Sequence, residues 1–340
     1  MTDEARGAAT PALFSDEANE LSALVAGAAV FDGGARVRLR VTGEDRVRWL
    51  NGMVTNTVKA LRAGEHNYTF VLNAQGRIQG DATVFALAGQ LLLETDRAQA
   101  GRLHAHLDRF IIMDDVELSW VEGQTTLGLA GPGAEAVLAS LGLPAPAAGS
   151  FTAVGEGPVQ VVVGEWGTRV PRYSLWVREA EVVTLWQQLL DAGATAAGAR
   201  AVDALRVLEG TPLYGVDIGE RTLAQETGQM RALNFNKGCY LGQEVVERVR
   251  SRASLHRGLR QFALLGERAA PGAVLVNGEG AAVGELTSVA RIAGAGAARY
   301  GDQVGLGLVR VEALGGPLLY PGGTVEVLAA PPLSEMTPRR

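Results

Sequence analysis

The lone cysteine of this 340-residue chain lies within Lys237-Gly238-Cys239-Tyr240-Leu241-Gly242-Gln243-Glu244, a thiol two residues from a cation. One cysteine cannot close an internal disulfide or join further thiolates around a metal. It is either packed as a small apolar side chain or used chemically, and the setting favours use. The two flanking glycines predict a turned, closely approached backbone. The apolar period Leu241, Val245, Val246, Val249 predicts a helix starting just after the thiol. A thiol at a helix N-terminus beside a lysine has its thiolate, the reactive form, stabilised. Lys237 also breaks a compositional habit. Of 31 basic residues only Lys59 and Lys237 are lysine, which points to a need for a compact point charge rather than a planar fork.

The elements that must position this segment are bounded by composition. The length suits two or three domains. With 47% hydrophobic and 20% charged residues the chain reads as globular. A net charge of -6 argues against a broad polyanion-binding surface and so against stable nucleic-acid binding. The longest apolar stretch, 21–31, is too short to span a bilayer and follows an acidic helix cap, so neither a membrane span nor a signal core is expected. One cysteine and no export signal imply a reducing cytoplasm. The four histidines, His66, His104, His106 and His256, are scattered, and no zinc or iron–sulfur ligand set is expected.

Along the chain, a helix is expected over 16–26 and a half-buried strand over 36–41. Thr42-Gly43-Glu44-Asp45 then reads as a helix start, with Thr42 as cap. Residues 68–72 and 78–87, joined by Asn73-Ala74-Gln75-Gly76, read as a hairpin. A strand at 91–94, a helix from Asp96 to about 110, and strands near 116–121 and 125–130 follow. Gly131-Pro132-Gly133 opens a helix at 134–141. It is an ordinary turn or an anion site at a helix N-terminus. Strands near 159–163 and 173–177 precede helices at 179–190 and 199–208. After about residue 257 short apolar runs and dense glycine predict a small β-barrel. The fold class is α+β: two α+β units with antiparallel sheets plus a C-terminal barrel. The boundaries are 13–142, 143–256 (carrying the octapeptide) and 257–330, with flexible tails at 1–12 and 331–340.

Lys-Gly-Cys-Tyr-x-Gly-Gln-Glu at 237–244 resembles the signature of the YgfZ folate-binding proteins. Arg206, Glu209, Gly210, Tyr214, Gly215, Asp217 and Glu226 are similar in pattern to the wider family of the glycine-cleavage aminomethyltransferase, the T-protein. So are Thr42-Gly43, Asp45, Leu50, Thr55-Asn56, Gly76-Arg77-Ile78 and Asp81. The resemblance implies three domains in a ring around a tetrahydrofolate pocket, with residues 13–142 forming a folate-binding region. It also implies a role in maintaining iron–sulfur enzymes, including tRNA-modifying ones. Where T-proteins carry adjacent aspartates, this chain has Gln79-Gly80-Asp81. Where they place a glutamate-containing segment over the pterin, it has Gly167-Thr168-Arg169 and Tyr173. Fewer carboxylates for proton handling argue against glycine cleavage.

The resulting expectations are specific. Cys239 is the reactive thiol and Lys237 its electrostatic neighbour. Arg206, Asp81, Tyr214, Glu226, Gln243 and Glu244 are candidates for binding tetrahydrofolate or a one-carbon derivative. All but Glu226 have a plainer alternative: for Arg206 an ion pair with Glu209, for Asp81 satisfaction of hairpin backbone donors, for Tyr214 core packing, for Gln243 and Glu244 capping of the next helix. The functional expectation is a monomeric, folate-binding accessory protein acting on iron–sulfur enzymes. The alternative is a folate-dependent one-carbon transferase or demethylase.

Overall fold

The computed structural model describes residues 10–252, 255–292 and 300–333. The tails expected at 1–12 and 331–340 fall mostly outside the described residues. The chain forms two compact units, Met1–Ala201 with Arg231–Gln243, and Val202–Met230 with Glu244–Arg340. Together they give the α+β class with largely antiparallel sheets and a closed C-terminal barrel.

In the first unit the apolar run 21–31 is divided between two elements. Helix α1 (Glu17–Ala26) starts at Asp16, whose carboxylate accepts from Asn19 N, and stops at Gly27. Strand β1 (Ala29–Asp32) takes the remainder. Strand β2 (Arg36–Thr42) keeps Thr42 in its ladder opposite Glu117, so Thr42 does not cap the next helix. That helix, α2 (Arg46–Met53), follows Asp45. Gly43 turns the chain at φ +96°, where a Cβ would sit 2.0 Å from the Asp115 carbonyl oxygen, so only glycine fits.

The next elements are β3 (His66–Leu72), β4 (Ile78–Leu87), β5 (Gln90–Asp96), α3 (Arg97–Asp108) and β6 (Glu117–Trp120). They build an antiparallel sheet in the order β3-β4-β5-β2-β6. Trp49, Leu50 and Met53 of α2 and Leu103 and Leu107 of α3 cover one face. Then come β7 (Gln124–Ala130), α4 (Ala134–Ser140), β8 (Phe151–Ala153), β9 (Val159–Gly164), β10 (Arg172–Arg178), α5 (Val182–Asp191) and β11 (Thr195–Ala197). Their sheet runs β11-β1-β7-β10-β9-β8, with β1·β11 the parallel pair. Helices α4 and α5 cover its outer face through Val137, Leu138, Leu185 and Leu189.

The inner faces of the two sheets meet through Phe85, Leu92, Val161, Val163 and Trp176. Arg38 is buried among them. Its guanidinium pairs with Glu94 at 2.9 Å, donates to Thr126 Oγ1 and lies 3.9 Å over the Trp176 ring. A buried charge is tolerable only when paired in this way. Gly131-Pro132-Gly133 is a packed turn, not an anion site: Gly131 N donates to Pro171 O and Gly133 N to Gly27 O.

Helix α6 (Ala199–Glu209) ends in the second unit, which continues through α7 (Gln243–Arg252). The barrel follows as β12 (Arg257–Gly266), β13 (Val274–Asn277), β14 (Ala282–Arg291), β15 (Gln303–Arg310), β16 (Leu318–Tyr320) and β17 (Gly323–Val327). It closes in the order β12-β15-β14-β13-β16-β17 around Phe262, Leu264, Leu275, Leu286 and Val309. No helix among the described residues is long and apolar enough to cross a membrane.

Candidate functional site

The octapeptide belongs to a strap, Arg231–Gln243, held against the end of α2 and the start of β3. The hold is polar and specific. Thr55 Oγ1 donates to Ala232 O at 2.7 Å and Asn234 N to Thr55 O at 3.1 Å. Asn56 Nδ2 bridges Tyr68 O and Arg231 O at 2.9 Å each. Leu241 N donates to Gly52 O. These bonds explain why Thr55-Asn56 appears in the sequence pattern: both side chains recognise backbone.

Lys237 does the same with charge. Its Nζ donates to the carbonyls of Asn51, Val54 and Asn56 at 2.6, 2.6 and 2.7 Å, using all three ammonium donors. A planar guanidinium cannot converge on three acceptors around one point, which accounts for lysine in an arginine-rich chain. The ring of Tyr240 lies 5.0 Å from the same Nζ. Burial, with the like charge of Lys59, pushes this ammonium down to about 7, and the three carbonyls hold the proton against that push.

One expectation for Cys239 is corrected by this arrangement. The helix does not start just after it: α7 begins at Gln243, because Leu241 is tied to Gly52 O and Gly242 turns at φ +82°. Lys237 gives its three donors to carbonyls and none to the thiol. Cys239 is exposed, in a short segment pinned on both sides. On one side is the Lys237 clip. On the other is Gly242, where a Cβ would lie 2.5 Å from Asn73 O of the β3–β4 turn. Gly238 differs: a Cβ there would meet nothing within 4 Å. Gln243 accepts from Tyr240 N at 3.3 Å and so closes the turn.

The strap also delivers Arg231 to a second group of residues. Its guanidinium lies 5.0 Å over the Tyr68 ring and donates to Trp166 O at 2.7 Å. Gly167, at φ +78°, leaves the space that this guanidinium fills, since a Cβ there would collide with it. Tyr68 OH donates to Asp81 Oδ2 at 2.6 Å, and Gln99 Nε2 donates to Asp81 Oδ1. Thr95 Oγ1 donates to the Asp81 carbonyl at 2.7 Å. Asp81 is thus bound by side chains rather than by hairpin backbone donors. Burial, then the Asp81 charge, hold the Tyr68 phenol well above its ordinary value of 10. Asp81, Tyr68 and Arg231 are all half-buried, and Trp166 is 44% exposed. A carboxylate has about four acceptor sites; two are used here, so Asp81 retains capacity toward an incoming N–H donor. Tyr173, expected in this region, instead turns its hydroxyl to Glu135 at 3.1 Å.

Four predicted residues belong to the second unit. Arg206 does not pair with Glu209. Its Nε meets Asp203 and its Nη1 meets Asp217, each at 2.7 Å, while Nη2 donates to Ser288 at 2.8 Å. Asp217 is fully buried and also accepts from Leu213 N, Thr287 and Ser288. This network spends the guanidinium on the protein. Glu226 is buried, caps Leu223 N at 2.9 Å and pairs with Arg257 at 3.2 Å. Tyr214 is half-buried and bridges to Ile218. Glu244 is exposed and pairs with Arg248 one turn along α7 at 2.7 Å. Among the described residues no group of His, Cys, Asp and Glu could hold a metal ion.

Tyr68, Gln99 and Arg231 were not singled out from the sequence. Their only trace there is proximity in sequence to recognised motifs, and their convergence depends on β3, α3 and the strap meeting in space.

With this geometry in place the kinship can be stated. The GCVT N-terminal domain family matches residues 3–237, and the chain belongs to it. An aminomethyltransferase from Rubrobacter xylanophilus is 29% identical over 300 residues, covering 85% of this chain and 78% of that protein. An aminomethyltransferase from Streptomyces avermitilis is 28% identical over 312 residues, covering 85% of this chain and 81% of its own. The crystal structure of the glycine cleavage system aminomethyltransferase T from Bartonella henselae superposes with a TM-score of 0.85 at 21% identity, covering 99% and 97% of the two chains. That likeness establishes the common fold.

Proposed function

We propose that the protein binds a reduced folate at the Asp81–Tyr68–Arg231 cluster and acts as an accessory protein for iron–sulfur enzymes, using Cys239. The observation that carries this is the strap: one segment presents an exposed thiol and also lays Arg231 over the ring of Tyr68, whose hydroxyl holds the half-open Asp81 carboxylate. A reduced pterin is a flat ring carrying N–H donors. The residues fit it: Asp81 supplies free acceptor sites and Trp166 an exposed aromatic face. Bound folate would supply a one-carbon unit or its acceptor nitrogen. The chain's own groups orient it, with Tyr68 and Gln99 holding the carboxylate. The iron–sulfur role is supported by the likeness of the octapeptide to the YgfZ signature.

In cells lacking the protein, wild type should restore iron–sulfur enzyme activity and Cys239→Ser should not. Full rescue by Cys239→Ser would remove the thiol from the account. The retained Asp81 and the aminomethyltransferase relatives favour a second reading, one-carbon transfer. Methylene-tetrahydrofolate formation at an ordinary enzymatic rate, about 10 per second, would decide for it.

A further inference from the structure

Strand β5 pairs with β4 only between Thr83 and Leu87. Upstream, at Asp81, no backbone pairing continues on this edge of β4 among the described residues, and Thr95 near the end of β5 reaches only the Asp81 carbonyl, through its side chain. Gln99 of α3 takes the Asp81 N–H that the ladder leaves. Its Oε1 accepts from Asp81 N at 3.1 Å while its Nε2 donates to Asp81 Oδ1, so one side-chain amide grips both the backbone and the carboxylate of a single residue. Gln99 is 4% exposed. Gly80 makes room for it: a Cβ at 80 would lie 2.9 Å from Gln99 Oε1 and 3.1 Å from Leu103 Cδ1. Any acid at position 80 would therefore displace this amide.

We propose that Gln99 is the positioning residue of the site: its amide fixes the Asp81 carboxylate and occupies the space a side chain at position 80 would need. This rests on the folate reading above for its ligand, though not for its geometry. The charged and titratable groups around the pair are Tyr68 on β3, Arg36 on β2, Glu94 on β5, Glu165 after β9 and Arg231 of the strap. None of them donates to Asp81 Oδ1 in place of Gln99 among the described bonds. Gln99→Glu replaces the donor with a second carboxylate. Two carboxylates at hydrogen-bond distance cannot both ionise cheaply. Once one proton is taken up, the carboxylic acid again offers one donor and one acceptor.

The test uses the full chain under anaerobic conditions. Tetrahydrofolate affinity should fall about tenfold in Gln99→Met, the loss of one hydrogen bond to a charged group. The ratio of wild-type to Gln99→Glu affinity should shrink from about 100-fold at pH 8 to a few-fold at pH 5.5. A ligand-free readout runs alongside. The ultraviolet ionisation midpoint of Tyr68, assigned by subtraction of a Tyr68→Phe counterpart, should drop in Gln99→Met, because a released Asp81 no longer accepts from the phenol. If wild type binds no folate while the Tyr68 midpoint drops, the positioning role stands and the folate reading falls. If Gln99→Met folds with both affinity and midpoint unchanged, the proposal is overturned. If Gln99→Met does not fold, a Gln99→Glu ratio that stays constant with pH overturns it.

Discussion

Lys237→Met removes the ammonium but keeps most of the volume, and the structure fixes what that costs. Three charge-assisted bonds of 2.6 to 2.7 Å disappear. Each such bond contributes about 1.5–3 kcal/mol, and each carbonyl left without a donor away from water loses about 1–3 kcal/mol. Relief of the desolvation penalty on the ammonium offsets part of this, as it does when other buried charges are replaced by apolar groups. The net expectation is a destabilisation of about 3 kcal/mol, at the lower end of what breaking a buried ionic contact costs. Urea unfolding followed by tryptophan fluorescence reads it as a drop in midpoint with little change in slope. Lys237→Arg should recover less than half of the loss, because a planar fork cannot serve three convergent carbonyls. A Lys237→Met midpoint within error of wild type would refute the clip. Full stability of Lys237→Arg would show that charge alone suffices.

Gly242→Ala should cost about 2–4 kcal/mol through left-handed strain and the collision with Asn73 O, whereas Gly238→Ala should fall within about 0.5 kcal/mol of wild type; equal melting temperatures for the two would contradict this. Cys239 should react with iodoacetamide in native buffer without denaturant, at a rate Lys237→Met leaves unchanged while the protein remains folded. A need for denaturant would mean the thiol is covered. His106 is held below the ordinary 6.5 by burial and then by Arg109, and its Nε2 lies 3.2 Å from Leu72 O. Because the folded value is depressed, the unfolded chain takes up the proton first as pH falls. The stability from the neutral ring is therefore full above 6.5 and declines below it. His106→Asn should flatten the dependence of unfolding free energy on pH between 5 and 7, and an unchanged slope would contradict the assignment.

Local signals carried the elements whose reasons are local. Asp16 capped α1, and Asn73 and Gly76 closed the hairpin. Strand β1 was hidden because its Ala29-Val30-Phe31 continues the apolar run of α1 without a break in hydrophobicity. Strand β14 was hidden because its exposed face interrupts the apolar pattern. Thr42 looked like a cap, but the turn it precedes is dictated by the close approach of Asp115, far along the chain, to Gly43. The octapeptide was visible as a unit, yet the roles inside it were not. Lys237 sits two residues from Cys239 and gives its donors to carbonyls at and just beyond the end of α2. Asp81 was legible, and Gln99, Tyr68 and Arg231 around it were not, since three separate elements supply them. Arg206 showed as a functional arginine, and only the fold revealed Asp203, Asp217 and Ser288 as its partners.

Calorimetric titration with tetrahydrofolate tests the central claim most directly. The account predicts saturable heat with a dissociation constant in the micromolar range, about -8 kcal/mol. It also predicts a weakening of tenfold or more in folded Asp81→Ala, with Arg206→Lys close to wild type as long as the second unit remains folded. No heat with any reduced folate, or an Asp81→Ala protein that binds as tightly as wild type, would contradict it.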